Sequence, residues 1–164
     1  MRFAHRQGLI VLAAAAMLAA TPAHAGRATY TMPVRAQVIN GCTVNALPLI
    51  FTVPVPTNLN VDSSTTISIA CTPNIPFTLD IDNGLYANGI NRRVFNATAN
   101  AFINYDVYKD PPRSQVWGTG GAKNLTGNSG ITGLVVLPVY GRLASSRNLK
   151  AGNYSDTLTV TISF

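Results

Sequence analysis

Apolar and polar residues alternate along most of the chain with a period of two. The pattern is clearest at the end of the sequence, where four apolar residues are separated by Thr or Ser: Leu158, Val160, Ile162 and Phe164. This period, in segments rich in Thr, Val and Ile, is typical of β-strands with one buried face. Because the segments after residue 25 follow this period rather than a helical one, the pattern predicts an all-β protein.

Five further segments predict the remaining strands. Their apolar positions are Leu47, Leu49, Phe51, Val53 and Val55; Ile67, Ile69 and Cys71; Phe77, Leu79 and Ile81; Ile103, Tyr105 and Val107; and a nearly continuous run at 134–140, which predicts a buried strand. Proline cannot donate to a β-ladder, so Pro48, Pro54 and Pro56 confine the first strand to an edge, and Pro138 requires a bulge or an unpaired position. The polar stretch 86–100 and the Gly/Asn-rich stretch 118–130 are predicted to be irregular.

About six strands of this kind predict a β-sandwich. A sandwich whose last strand has the pattern of a central strand would keep one edge unpaired and a strip of core uncovered. A seventh alternating segment precedes Gly41, with its apolar positions at Tyr30, Met32, Val34, Ala36 and Val38. The pattern leaves two interpretations open: a first strand folded onto its own sheet, or a strand donated to the next molecule.

The first 25 residues are predicted to be a signal peptide. Arg2, His5 and Arg6 precede an apolar run at 9–20, and Ala23-His24-Ala25 has the small-x-small pattern of a cleavage site. The alternative is a membrane anchor, but the run is shorter than the roughly 18 to 20 residues that a spanning helix needs. We therefore expect export, cleavage after Ala25 and no stable membrane insertion.

The amino-acid composition restricts the kinds of catalytic and metal site that the chain can form. The chain has 164 residues, 47% hydrophobic and 11% charged, which suits one folded domain and excludes a disordered polar chain. All six acidic residues are Asp, and both histidines fall in the predicted signal peptide. Without His or Glu, the mature chain cannot build Ser-His-Asp or Cys-His sites and lacks the ligands of a zinc site. We expect no enzyme activity, no metal and no cofactor.

Basic residues do not form a nucleic-acid-binding surface. The formal net charge is +6, and the predicted cleavage removes Arg2 and Arg6. The remaining basic residues are scattered, with Arg92-Arg93 as the only adjacent pair. Such a distribution favours solubility and lacks the basic stripe of a nucleic-acid-binding protein.

The two cysteines, Cys42 and Cys71, lie in a chain predicted to leave the cytoplasm, so a disulfide is expected. On the chain-entropy model such a bridge would stabilise the fold by about 3 to 4 kcal/mol. Asp80 and Asp82 could be proposed as an acid/base pair, but Asp82-Asn83-Gly84 has the composition of a turn. We interpret it as one.

Several motifs together resemble the spore coat protein U domain family, which includes the pilins of archaic chaperone-usher pili. They are Cys42-Thr43-Val44, Cys71-Thr72, Ile103-Asn104-Tyr105-Asp106-Val107-Tyr108, Trp117-Gly118, Tyr140-Gly141-Arg142 and Ala151-Gly152-Asn153-Tyr154-Ser155-Asp156-Thr157-Leu158-Thr159-Val160-Thr161. The resemblance covers nearly all of the mature chain. One departure is Val53-Pro54-Val55-Pro56, where many relatives have a Gly-containing turn.

This resemblance implies a subunit with an incomplete immunoglobulin-like fold at residues 41–164 and a donor-strand segment at 26–40. It implies a periplasmic chaperone, an outer-membrane usher and neighbouring subunits as partners, and a pilus at the cell surface as destination. The implied site residues are the Cys42 and Cys71 pair, the donor residues Tyr30, Met32, Val34, Ala36 and Val38, and the acceptor-groove strand Leu158, Val160, Ile162 and Phe164.

An alternative is a secreted monomeric binding module for a carbohydrate or a surface. It would use aromatic residues on loops, namely Tyr86, Tyr108 and Trp117, although such residues more often pack in sandwich cores. The behaviour of the isolated chain distinguishes the two: a module is expected to be a monomer, and a fibre subunit is expected to aggregate or form ladders.

Overall fold

The computed structural model describes residues 26–54, 59–145 and 149–164. The predicted signal peptide and Val55 therefore lie outside the described residues. The chain divides into two compact units, residues 1–37 and residues 38–164. Within the first unit, residues 26–37 form neither helix nor strand, and the side chains of Tyr30, Met32 and Val34 are 95%, 79% and 82% exposed.

The second unit is built from two antiparallel sheets. The strands assigned in its described residues are β1 (Cys42–Ala46), β2 (Val61–Cys71), β3 (Pro76–Ile81), β4 (Arg92–Asn96), β5 (Ala101–Tyr108), β6 (Leu125–Asn128), β7 (Leu134–Leu143) and β8 (Val160–Ser163). One sheet has the order β1-β2-β7-β5-β4 and the other has the order β6-β3-β8. β1 and β8 are therefore edge strands of different sheets.

The core lies between these sheets and is formed by alternate residues of their strands. Buried side chains from the larger sheet, such as Ile69, Val107 and Val139, pack with Phe77 and Leu79 of β3. Trp117 is also fully buried, and its indole nitrogen donates a hydrogen bond of 3.2 Å to the Leu79 carbonyl. Trp117 is thus a core residue and not an exposed loop aromatic.

Two strands lie in stretches predicted to be irregular, and that prediction is wrong at both. The alternating apolar pattern does not reveal β4, because the residues buried at its two ends, Arg92 and Asn96, are polar. β6 contains Gly127, where a Cβ would lie 2.7 Å from the tip of the Phe77 ring. Glycine there is a packing requirement of the β3–β6 pair rather than a sign of a loop.

β7 is buried on one face only. Val139 and Leu143 face the core, whereas Leu134 and Val136 are 67% and 65% exposed, which corrects the prediction of a continuously buried strand. At Pro138, β7 has no bulge and keeps its register with β2, but the side to which an N–H would point is unpaired. Pro138 pairs with Thr66 of β2, but Thr66 accepts its backbone hydrogen bond from Leu47 on the other side, and β5 pairs with β7 only from Tyr140 onward. The missing N–H of Pro138 therefore costs no ladder bond.

The N-terminal half differs most from the predicted pattern. Residues 26–41 contain no strand, so the expected seventh strand is not part of either described sheet. The first paired strand is β1, and the segment 47–54 that follows it is not assigned as a strand. In that segment Leu49, Phe51 and Val53 are half-buried, while Leu47 is 54% exposed.

Candidate functional site

A groove with a volume of about 790 Å³ lies between two segments that do not pair with each other. One rim is the segment 47–53, which directly follows β1. The other is 149–160, which leads into β8. The floor is apolar and includes core residues of both sheets: Ile67, Ile81, Ile103, Val107, Val139 and Leu143. The groove thus exposes an apolar strip of the sandwich interior at the open side between the two edge strands.

On one side, the backbone of the β8 rim is hydrogen-bonded to β3 and to the residues that follow β3. Thr157 and Thr159 accept backbone hydrogen bonds from Leu85 and Asp82 at 3.1 and 3.0 Å, and β8 continues this pairing with β3. Backbone groups of successive strand residues point to opposite sides. The N–H and C=O groups of Leu158 and Val160 therefore point toward the groove, while their half-buried side chains pack against the core.

The opposite rim is attached to β2 in a different way. After the Leu47 N–H, which donates to the Thr66 carbonyl at 3.1 Å, the bonds to β2 come from side-chain hydroxyls. Thr65 donates to the Leu47 carbonyl at 3.2 Å, and Ser63 donates to the Ile50 carbonyl at 2.6 Å. Beneath this rim, the side chains of Leu49 and Phe51 lie where a Cβ on Gly141 would be, so glycine at that position lets the rim pack onto β7.

One end of the groove is polar. Tyr105 donates its hydroxyl proton to Asp156 Oδ2 at 2.7 Å, and the backbone N–H of Tyr86 donates to Asp156 Oδ1 at 3.1 Å. Burial, and after it the hydrogen bond to Asp156, raises the pKa of Tyr105 well above its ordinary value. Asp156 thus connects the β8 rim to β5 and to the loop before β4.

The motif Gly152-Asn153-Tyr154-Ser155-Asp156 shapes this rim. Ser155 exchanges two backbone hydrogen bonds with Phe95, at 2.9 and 3.0 Å, and the Tyr154 hydroxyl donates to the Lys150 carbonyl at 2.9 Å. Gly152, at φ +142°, lies so close to the Asn96 side chain that a Cβ would collide with it. The segment can therefore turn from β4 toward β3 and form one continuous rim.

Asp82 adds a pH-dependent contact at the same rim. Its Oδ1 accepts hydrogen bonds from the Thr159 and Gly84 backbone N–H groups at 2.9 and 3.0 Å, in the turn expected from Asp82-Asn83-Gly84. Partial burial of the carboxyl raises its pKa, but the bonds from Thr159 and Gly84 outweigh this, so the pKa lies below its usual range.

Acid is therefore expected to weaken the β8 rim. Because the folded-state pKa of Asp82 is depressed, its stabilisation is present above the unfolded pKa of about 3.9 and is lost as pH falls through the folded value. Asp82→Asn should flatten the decrease in the free energy of unfolding measured by urea titration between about pH 5 and pH 2. Some decrease will remain, because the hydrogen bond from Arg142 also holds the pKa of Asp62 below its usual range. Identical pH curves for the variant and the parent would contradict this assignment.

The structure places the sequence-predicted site residues in three locations. Cys42 and Cys71 form a disulfide between β1 and β2, as expected. Leu158 and Val160 line the groove, Ile162 packs against the core outside the groove lining, and Phe164 is 57% exposed beyond β8. The predicted donor residues lie in the exposed N-terminal stretch: Tyr30, Met32, Val34, Ala36 and Val38. Sequence reasoning missed the role of 47–53 and of the Asp156–Tyr105 contact, although the Gly152–Asp156 motif pointed to the second.

The described residues contain neither a metal-binding cluster nor a membrane-spanning helix. Within 26–54, 59–145 and 149–164, no cluster of three or more His, Cys, Asp or Glu side chains could hold a metal ion. The same part of the chain contains no helix of the length and hydropathy required to span a membrane.

The two open-edged sheets define an immunoglobulin-like β-sandwich, which confirms the expected fold class. Residues 28–161 match the family model of the Spore Coat Protein U domain. Protein U of Myxococcus xanthus is 31% identical over 175 residues, covering 94% of each chain. The chain belongs to the spore coat protein U domain family, as its motifs indicated.

A solved structure shares the fold. It is the CsuC–CsuE chaperone–tip adhesion subunit pre-assembly complex from archaic chaperone-usher Csu pili of Acinetobacter baumannii, and one of its chains aligns with a TM-score of 0.58 and 24% sequence identity. The alignment covers 77% of this chain and 40% of that chain. This chain therefore spans less than half the length of the matched chain.

Proposed function

We propose that this protein is a structural subunit of an extracellular fibre and that subunits join by strand donation. In this proposal, residues 30–38 of one molecule enter the groove of the next and pair with the unpaired backbone of the β8 rim. The observation that carries it is the open, apolar groove between β1 and β8, in a chain whose N-terminal segment is exposed and alternates apolar with polar residues. Strand addition of this type combines backbone pairing with side chains inserted into pockets.

Burial of the donor side chains would favour assembly. Full burial of Tyr30, Met32, Val34 and Val38 would contribute on the order of 6 to 12 kcal/mol before the cost of association, at about 1.5 to 3 kcal/mol per large apolar side chain. The contact is head-to-tail, because the segment and the groove are different surfaces. A head-to-tail contact that does not close into a ring produces a filament.

The family and the shared fold support the remaining parts of the proposal. The subunit would cross the periplasm bound to a chaperone that covers the groove, and an outer-membrane usher would exchange the chaperone for the neighbouring donor segment at the cell surface. We propose a structural role for it; residues 26–164 contain neither His nor Glu, two of the commonest catalytic residues.

A single charge in the donor segment tests the proposal. Val34→Asp is expected to abolish assembly, because it would place an unpaired carboxylate over the apolar floor. Thr31→Asp is the matched control, since position 31 faces the opposite side of an extended strand and the variant should still form fibres. Size-exclusion chromatography with light scattering measures the outcome, and Val34→Asp fibres as long as those of the control would refute the proposal.

Deletion of residues 26–40 provides the second arm of this experiment. The shortened subunit retains the groove but has no segment to donate. It is expected to co-purify with the chaperone and to be absent from fibres on the cell surface, measured by immunoblotting of sheared fibres. Normal fibres from the deleted chain would rule out donation by this segment.

A further inference from the structure

The outer face of the larger sheet carries an ordered set of side chains that strand donation does not use. On β5 the outward residues are Phe102, Asn104, Asp106 and Tyr108, which alternate with the buried Ile103, Tyr105 and Val107. Across the strands, Phe95 of β4 pairs with Phe102 and Arg93 pairs with Asn104. Arg142 and Tyr140 of β7 pair with Asp106 and Tyr108.

These pairs form four rows across the sheet: an aromatic row, two polar rows and a second aromatic row. Phe95 and Phe102 are stacked with their ring centroids 4.6 Å apart, and Phe102 remains 44% exposed. Tyr108 lies six positions after Phe102 along β5, a distance of about 20 Å at the usual rise of a β-strand. The polar rows lie between the two aromatic ends.

A second cavity, of about 290 Å³, opens over the polar rows. Its polar lining includes Asn60, Asn91, Asn104, Asp106, Tyr108 and Arg142. Within the described residues, the side-chain amides of Asn91 and Asn104 and the Tyr108 hydroxyl make no hydrogen bond. Asp106 uses Oδ1 for Arg92 and for the backbone N–H of Val107, at 2.6 and 3.1 Å. Several groups that can both donate and accept hydrogen bonds therefore converge on one site.

The framework that holds these groups is fixed. Asp106 is ion-paired to the buried Arg92. Arg142 is held by Asp62 through two bonds, at 2.7 and 2.8 Å. Arg93 donates from Nε to the Tyr86 carbonyl at 2.9 Å, and its guanidinium lies 4.3 Å from the Phe102 ring centroid. No Asp of the described residues forms an ion pair with Arg93, so its terminal amino groups remain available.

From this arrangement we propose that the outer face of β4, β5 and β7 binds an extended saccharide chain. Sugar hydroxyls donate and accept hydrogen bonds, as the free amides and the Tyr108 hydroxyl do. The apolar faces of sugar rings stack on aromatic side chains such as Phe102. The distance between the aromatic rows fits an oligosaccharide better than a single sugar. This site is separate from the groove, so it does not depend on how subunits join.

Binding of the mature chain to immobilised alginate, which is acidic, and to immobilised hydroxyethyl cellulose, which is neutral, tests the site. The parent protein is expected to bind at least one of them. Asn104→Ala should weaken that binding by about fivefold, the factor expected for one lost hydrogen bond. Phe102→Ala should weaken it at least as much through the loss of stacking. Asn45→Ala is the matched control, because Asn45 is also exposed but lies on β1 at the far edge of the same sheet.

The measurement is made in parallel with the non-assembling Val34→Asp chain, so that failure of assembly and failure of binding can be distinguished. Loss of binding in Asn104→Ala and Phe102→Ala, with Asn45→Ala unchanged, supports the site for whichever polysaccharide binds. Binding to neither polysaccharide overturns it. Alginate binding that persists in both variants and disappears in high salt also overturns it, because that result indicates only attraction by the net positive charge.

Discussion

Arg92→Met is expected to lower the free energy of unfolding by about 3 to 5 kcal/mol, the range for breaking a buried charge network. Arg92 is only 2% exposed. Its guanidinium donates to the carbonyls of Ile81, Asp82 and Trp117 at 2.7 to 3.0 Å and is ion-paired with Asp106. Methionine fills much of the space but donates no hydrogen bond, so three carbonyls and one carboxylate lose their partner together.

Urea unfolding at neutral pH measures this loss, and Arg142→Met is the appropriate control. Arg142 is also paired with an aspartate, Asp62, but both side chains are about one-third exposed, at 34% and 39%. An ion pair as exposed to water as this one contributes about 0 to 1 kcal/mol to the free energy of unfolding. If the two variants lost the same amount of stability, the buried network around Arg92 would not have the role assigned to it.

Removal of the disulfide has the second large effect. Replacing Cys42 and Cys71 with Ala is expected to cost about 3 to 4 kcal/mol, because the bridge closes a loop that is long in sequence and so restricts the unfolded chain. The two residues are 29 positions apart. β1 is an edge strand of five residues, paired only with β2 and continued by the rim 47–53, so this edge should loosen first.

Two measurements separate the bridge from the substitutions themselves. Urea unfolding of the parent with and without a reductant should show the same loss as the double variant. Hydrogen exchange should increase in β1 and hardly change in β5, which lies within the sheet between β7 and β4. Equal protection of β1 with and without the bridge would contradict a local role for the disulfide.

Some of this architecture could be predicted from the sequence because the physical signal was local. The strands around Ile69, Leu79 and Val107 alternate clearly, since one face of each is buried in the core. The disulfide followed from two cysteines in a chain predicted to be exported. The sequence also predicted that Pro138 must lie where a backbone N–H is not needed, because proline cannot donate a hydrogen bond to a β-ladder.

The parts that the sequence did not predict depend on contacts between distant residues. β4 buries Arg92 and Asn96, so its inward face does not have an apolar pattern. The carbonyls of Ile81, Asp82 and Trp117 and the Asp106 carboxylate explain why a guanidinium is stable there. The rim 47–53 is held by hydroxyls of Ser63 and Thr65 rather than by a ladder, a contact that period-two alternation does not encode. One alternative predicts that Trp117 is a surface aromatic, yet its side chain is buried and donates a hydrogen bond to the Leu79 carbonyl of β3.

The open side between β1 and β8 has a thermodynamic consequence under the proposed function. A fold that is completed only by a second molecule gains stability by mass action, so its folding and its association cannot be measured as separate quantities. The melting temperature of the parent chain should then rise with protein concentration, while that of a chain unable to donate its segment should not. The free energy of unfolding of each subunit in a filament would then depend on the neighbour that donates its segment.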